Sequence, residues 1–199
     1  MTDLIWSFAP WLVFLLTSRV TSLYGAVAAG AVAAVVVLIR AIGRRRVHML
    51  DVASNAYFIA LGAVLIAIRP GHLDVWSRYA QAGSHVALTL LVFGSILLGR
   101  PFTESYARAT VPESVWHTAR FRSLNRQIST VWGLAFLVGS VSLIAAGSID
   151  SRQVLLRIIV PFGSLYYAYM YTQRQAQGAR PTPDPRELDG KSPSNEMIS

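Results

Sequence analysis

The chain of 199 residues contains no cysteine, and Lys191 is its single lysine among 18 basic side chains. The absence of cysteine excludes disulfide bonds, thiolate metal ligands and a cysteine nucleophile. Charged residues are also scarce, at 14% of the chain, whereas hydrophobic residues account for 53%. This composition is more apolar than that of ordinary soluble domains, and the length leaves room for one membrane domain only.

Sequence motifs for catalysis are missing as well. The chain has no HExxH pair, no Gly-rich phosphate loop and no GxSxG elbow, and its four histidines are scattered. We therefore predict no catalytic residues, no metal site, no cofactor and no enzyme activity. A lipid-modifying enzyme is the weakest alternative, and its loose set of candidate side chains would be His48, Asp51, Glu104, Glu113 and His117.

Apolar runs dominate what is present. Five long runs cover residues 24–39, 52–68, 79–98, 130–146 and 154–171, each close to the ~20 residues that a helix needs to cross a bilayer. A shorter run at 4–18 lacks the basic start and the cleavage site of a signal peptide, so we expect it to remain as a first helix. We predict an all-α, polytopic transmembrane bundle of about six helices in residues 1–172. The polar segment 173–199 is predicted to be a disordered tail.

Arginines are distributed unevenly between these runs. They concentrate in the connection at residues 40–50, in the connection at 100–126 and in the tail, which six helices would place on one side of the membrane. The positive-inside rule makes that side, with both termini, cytoplasmic. The net charge of +8 thus favours anionic lipid headgroups as partners, and we predict no nucleic-acid partner.

Local signals predict where helices begin and end. Asp51 is expected to cap the third helix, and Asp150 or Ser151 the sixth. The segment Arg69-Pro70-Gly71 should stop the third helix. Residues 110–113, Thr-Val-Pro-Glu, have capping-box spacing and predict a short helix within the 100–126 connection.

Small residues repeat at a spacing of four in two of the runs. They are Ala26, Gly30 and Ala34 in the second and Ala135 and Gly139 in the fifth. Such stripes let helix backbones approach closely in lipid. We favour packing within one bundle, and a homo-oligomer is the alternative.

Four polar residues lie in or at the edge of apolar runs and form a candidate intramembrane polar site. They are Asp51, Asn55, His85 and Arg157. Buried ionisable groups in membranes often mark a functional site. The competing interpretations are interhelical hydrogen bonding for the first three and snorkelling to the interface for Arg157. A shared cavity would favour a small oligomeric transporter or channel.

The connection at residues 100–126 has the most distinctive chemistry, because aromatic residues alternate there with arginines. This mixture is typical of an amphipathic segment lying among lipid headgroups, or of a docking site for a protein partner or anionic lipid. The candidate partner- or lipid-binding residues are Arg100, Glu104, Tyr106, Arg108, Trp116, Arg120, Arg122 and Asn125.

Several elements together resemble the intracellular septation protein A family of bacterial inner-membrane proteins. They are the opening Phe8-x-Pro10-x-x-x-Phe14, then Tyr24-x-Ala26, the Pro-x-x-Val-Trp element at 112–116, Leu124-Asn125 and the helix led by Trp132. The resemblance covers residues 8–146 and includes no catalytic signature. It implies a multi-pass protein of the bacterial inner membrane that takes part in septation or envelope maintenance through membrane protein partners. The leading hypothesis is therefore a protein that acts by interaction, with 100–126 as its docking face.

Overall fold

The computed structural model describes residues 2–67, 73–148 and 154–178, and the regular structure within these ranges is entirely helical. The α-helices are α1 (Thr2–Thr17), α2 (Leu23–Gly43), α3 (Met49–Ala67), α4 (Leu73–Leu97), α5 (Glu104–Arg108), α6 (Ala119–Ser148) and α7 (Val160–Gly178). A 3-10 turn at Glu113–Val115 lies between α5 and α6, and a π-helical turn at Leu155–Ile159 leads directly into α7. The prediction of an all-α chain is confirmed for these residues.

Four helices have the length and composition needed to cross a membrane. They are α2, α3, residues Val75–Leu97 of α4, and α6. Helix α1 is also apolar but has only 16 residues. At 1.5 Å per residue it extends ~24 Å, which is less than the ~30 Å of a bilayer core. A multi-pass membrane protein is thus compatible with the fold.

Helix α1 is the first helix that the sequence predicted, and it packs against several other helices. Its buried side chains Leu4, Ser7, Trp11 and Phe14 recur every three or four residues and therefore share one face. That face contacts α2 and α3. Phe8, at the side of the same helix, stacks on Trp132 of α6 with 5.1 Å between ring centroids. Helix α1 therefore joins the α2–α3 half of the bundle to the α4–α6–α7 half.

The outer faces of the long helices are apolar. Examples are Val36 and Ile39 of α2, Ile59 of α3, and Leu90 of α4, all of them more than half exposed. Large contiguous apolar surfaces are rare on soluble monomers. These faces suit contact with lipid, which explains why the interior is rich in small and polar residues instead.

The small-residue stripes pack inside the bundle. A Cβ added at Gly30 of α2 would lie 2.5 Å from the Phe58 ring of α3, and one at Gly139 of α6 would lie 2.5 Å from the His85 ring of α4. Both glycines therefore accept a ring from a neighbouring helix of the same chain. The two stripes therefore form packing contacts within one bundle, which is the interpretation that we favoured.

Two helix boundaries differ from the sequence prediction. Helix α6 begins at Ala119, so residues 119–126 of the predicted connection are helical. Phe121, Asn125 and Ile128 are buried on one face while Arg122 and Arg126 are exposed, an amphipathic pattern that extends the apolar run. Helix α7 continues through Gly178, so the predicted tail is helical in its first residues. Glutamine, arginine and alanine at 173–177 are good helix formers.

The predicted capping box at residues 110–113 is wrong. The Thr110 hydroxyl donates to the Ala107 carbonyl instead of capping a following helix, and the segment after Pro112 forms only a 3-10 turn. Asp51 does cap α3, but from its third residue, because its carboxylate accepts from the His48 backbone N–H at 2.9 Å. The predicted stop at 69–71, the cap at 150 or 151, and the tail beyond 178 lie outside the described residues.

Candidate functional site

A buried carboxylate lies at the end of the bundle where α3 begins. Asp51 is 1% exposed. One of its oxygens accepts a 2.5 Å hydrogen bond from the Ser7 hydroxyl of α1, and the other accepts from the His48 backbone N–H. One turn deeper, the Trp11 indole N–H donates to Ser54, which in turn donates to the Leu50 carbonyl. These bonds fix α1 against α3 and satisfy the carboxylate with neutral donors.

His48 connects this carboxylate to helix α5. Its ring stacks on Tyr106 at 4.1 Å between centroids, and its Nδ1 lies 3.3 Å from the Ser105 hydroxyl. The Nε2 of His48 and the hydroxyl of Tyr106 are both buried without a hydrogen-bond partner. Burial lowers the pKa of His48, an effect that the Asp51 carboxylate partly opposes. Burial also raises the pKa of the Tyr106 phenol.

Beside this cluster is a shallow cleft between α1, α2 and the α2–α3 connection, which we term the basic cleft. Its free volume of about 20 Å³ holds about one water, and its mouth is open. Arg40 stacks over the Trp6 ring at 4.4 Å, and Arg44 lies 3.5 Å from Asp3. The polar and aromatic lining residues are Asp3, Trp6, Ser7, Arg40, Arg44, Arg46, His48 and Asp51.

The connection between α4 and α6 is anchored at its start. Phe102 is 2% exposed, and its backbone N–H donates to the Ser95 hydroxyl of α4. The Thr103 hydroxyl lies 3.0 Å from the Asn125 carbonyl and 2.8 Å from the Ser129 hydroxyl, both in α6. Asn125 itself is buried and bonds the Phe121 carbonyl within its own helix. Asn125 therefore belongs to the anchor and not to an exposed binding surface.

The aromatic residues of this connection do not form a headgroup-facing stripe. Phe102, Tyr106 and Phe121 are buried in the bundle, which corrects the prediction of an amphipathic segment lying on the membrane. Helix α5 has only five residues and is held by the buried side chains on its inner face. Only Trp116, which is half-buried, lies near the exposed part of the connection.

The outer part of the connection is exposed and basic, and we term residues 108–120 the exposed arm. Arg108 pairs with Glu104 through Nε and Oε1 at 3.1 Å, and its guanidinium lies 5.0 Å from the centre of the Trp116 ring. Arg100 precedes the arm, and Arg122 and Arg126 follow it on the exposed face of α6. Arg120, at the end of the arm, is also exposed. Of the predicted binding residues, Arg108 thus contacts Glu104 and Trp116, and Arg100, Arg120 and Arg122 are exposed.

The four residues of the candidate intramembrane site do not meet. The Asn55 amide donates to the Ala34 carbonyl of α2 at 3.0 Å and to the Asp51 carbonyl at 2.9 Å. His85 contacts the Gln81 carbonyl, and Arg157 donates to the Ala146 carbonyl of α6 at 2.9 Å. The side chains of Asn55, His85 and Arg157 are thus each bonded to a backbone carbonyl of their own helix or of an adjacent one. Among the described residues, this set of four does not come together to form a shared transport cavity.

Several residues of the site were not identified from the sequence. Ser7, Ser54 and Ser105 were missed because a serine in an apolar helix carries no motif. The available signal was the position of Ser7 between Leu4 and Trp11 on the buried face of α1. His48 was named only among the scattered histidines and in the loose candidate set of a lipid-modifying enzyme, because its partners lie on other helices.

Within the described residues, no group of three or more His, Asp or Glu side chains is arranged to hold a metal ion. No family model, curated protein or solved structure matches this chain. The resemblance to the septation family therefore stays a prediction from the residues quoted above.

Proposed function

We propose that this chain is a six-span protein of the bacterial inner membrane, with both termini in the cytoplasm, that acts by binding a protein partner in envelope maintenance or septation. The six spans are α1, α2, α3, α4, α6 and the helical segment at 154–178. The exposed arm would be the docking surface, and its partner would present an acidic surface. Catalysis has no part in this proposal.

The observation that carries the proposal is the contrast between the two parts of the connection. Its first residues are locked into the bundle by Phe102 and Thr103, whereas residues 108–120 are mostly exposed. A simple connector between two helices needs neither the buried anchor nor the arginines. A rigid base that presents a charged surface is what specific docking requires, because less freedom is lost on binding.

Photo-crosslinking in intact cells tests this function. A photoreactive amino acid at Ser114, an exposed residue of the arm, is expected to give a discrete adduct with one membrane or cytoplasmic protein. The double variant Arg108→Gln/Arg122→Gln should reduce that adduct at least tenfold, since two charge-assisted contacts are lost. Mass spectrometry of the adduct identifies the partner and shows whether its contact surface is acidic.

The matched control is Arg78→Gln/Arg174→Gln. It removes the same charge from two exposed arginines outside the connection and should leave the adduct unchanged. An adduct that is equally strong in the Arg108/Arg122 variant contradicts the docking role. Adducts with lipid alone would instead assign the arm to the membrane surface.

A further inference from the structure

The basic cleft combines three features that a connector between α2 and α3 does not require. Three arginines, Arg40, Arg44 and Arg46, line it beside two aspartates. Arg44 lies 3.5 Å from Asp3, and the Asp51 carboxylate is buried and hydrogen-bonded to Ser7 and His48, so the three guanidinium groups outnumber the two carboxylates. The mouth is therefore electropositive, and a planar guanidinium suits bidentate binding of a phosphate oxygen pair.

The second feature is a buried ring nitrogen on His48, one of the residues that line the cleft. His48 lines the cleft, is 6% exposed, and has an Nε2 without a partner. The Ser105 hydroxyl donates to the Phe102 carbonyl, which leaves its oxygen to accept from Nδ1–H of His48. In the neutral ring Nε2 is then a bare acceptor, and in the protonated ring it is a donor. A ring nitrogen of this kind is free to take up a proton, and an anion bound nearby would favour the protonated ring.

The third feature is the apolar surface next to the arginines. Val36, Ile39 and Ile42 of α2 are each more than half exposed immediately before or beside Arg40. Trp6, under the Arg40 guanidinium, is the type of residue found at headgroup level. A ligand with a phosphate and an acyl chain would contact both the arginines and the apolar side chains, whereas a free phosphate would contact only the arginines.

We propose that the mouth of the basic cleft binds the phosphate of an anionic membrane lipid, held by Arg40, Arg44 and Arg46, with the buried His48 ring behind it. The acyl chains lie along the exposed valine and isoleucine side chains of α2. This site is separate from the exposed arm and does not depend on the docking function proposed above. Lipid binding here would tie together α1, α2 and the start of α3.

Binding of short-chain lipids to the full chain in neutral detergent tests the proposal. Dihexanoyl phosphatidylglycerol is expected to bind at least tenfold more tightly than dihexanoyl phosphatidylcholine, measured by native mass spectrometry. The variant Arg44→Gln/Arg46→Gln should weaken phosphatidylglycerol binding about tenfold or more, because charge-assisted hydrogen bonds are lost. Both arginines are exposed, so the variant retains its buried contacts.

The control variant Arg78→Gln/Arg174→Gln removes the same charge from exposed arginines of α4 and α7 and should bind phosphatidylglycerol like the parent chain. Equal weakening in both variants, or no preference for phosphatidylglycerol, overturns the proposal. Inorganic phosphate is the probe for the other source of this chemistry. If it competes at the same concentration as the lipid, the site binds free phosphate and the lipid assignment is wrong.

The role of His48 predicts that binding tightens between pH 8 and pH 6, because the bound anion favours the protonated ring. The titratable or charged groups around His48 come from five places: Asp3 of α1, Arg40 of α2, Arg44 and Arg46 of the connection, Asp51 of α3 and Tyr106 of α5. In His48→Phe the pH dependence should disappear while the lipid preference is retained. A parent chain whose binding constant is unchanged over this range contradicts protonation of His48.

Discussion

At the scale of single residues, His85 and Gly139 illustrate how this bundle packs. The imidazole of His85 fills the space left by the absent side chain of Gly139, and its Nδ1 contacts the Gln81 carbonyl. The histidine that the sequence placed in a candidate intramembrane polar site is thus a tightly packed interhelical contact. Its chemistry follows from the neighbour on α6, which sequence spacing does not reveal.

Replacing Gly139 with alanine should therefore destabilise the fold by about 1–3 kcal/mol, the usual cost of overpacking. The matched control is Gly94→Ala, where an added Cβ has no atom within 4 Å. That variant should be neutral or up to about 1 kcal/mol more stable, because alanine favours helix. Denaturant unfolding in detergent, followed by circular dichroism, measures both. Similar stabilities for the two variants would show that the His85 ring is free to move.

The lowered pKa of His48 predicts a pH dependence of stability. Burial keeps His48 neutral in the folded state at pH values where the unfolded chain already binds a proton. Its contribution is therefore present above a pH of about 6.5, the unfolded value, and is lost as the pH falls towards the lower folded pKa. Unfolding measured in lipid-free detergent at pH 7.5 and 5.5 tests this. His48→Phe should reduce the difference, whereas replacement of the exposed His117 by Phe should not.

At the scale of elements, the end of α2 depends on an unusual backbone conformation. Arg45 has φ +55°, and the N–H groups of Arg45 and Arg46 bond the carbonyls of Ile42 and Ala41. This is the Schellman arrangement, in which glycine normally occupies the left-handed position. An arginine there turns the chain so that Arg46 reaches the basic cleft.

The variant Arg45→Gly should accordingly have a free energy of unfolding about 1 kcal/mol higher, because a left-handed conformation costs residues other than glycine about that much. Glycine at position 44, where φ is −87°, removes the same charge and should not stabilise the chain. Thermal unfolding of both variants in detergent gives the comparison. Equal effects would mean that charge, and not backbone conformation, sets the stability of this helix end.

The position of the α4–α6 connection depends on the side-chain hydrogen bonds of its anchor. In Thr103→Val the Asn125 carbonyl and the Ser129 hydroxyl lose their buried partner, which should cost about 1–3 kcal/mol. Hydrogen exchange and proteolysis should then quicken at residues 100–118. Thr110→Val is the control, since that exposed hydroxyl bonds only the Ala107 carbonyl of its own turn. Unchanged exchange in Thr103→Val would assign the anchor to Phe102 packing alone.

At the scale of the whole molecule, the prediction concerns orientation. Because the chain lacks cysteine, single cysteines at exposed positions report their side of the membrane without background. An impermeant maleimide should label Ser114→Cys only in inside-out vesicles and Thr21→Cys only in right-side-out vesicles. Both positions are exposed. Labelling of both from the same side would contradict the span assigned to α2, α3 or α4.

The six apolar runs, the all-helical class and the clustering of arginines in two connections and the polar C-terminal segment were determined by the sequence alone, since they depend on composition and on periods within one segment. The sequence also predicted α1 as a first helix, but not its contacts, because these depend on rings of other helices, such as Trp132 against Phe8. The function of each polar residue was decided only by tertiary structure. Asn55 and His85 bond or pack against backbone, whereas Asp51 and His48 join three helices around the basic cleft. The physical reason is that a buried polar group takes its role from its partner, and in this bundle most decisive partners lie on a different helix.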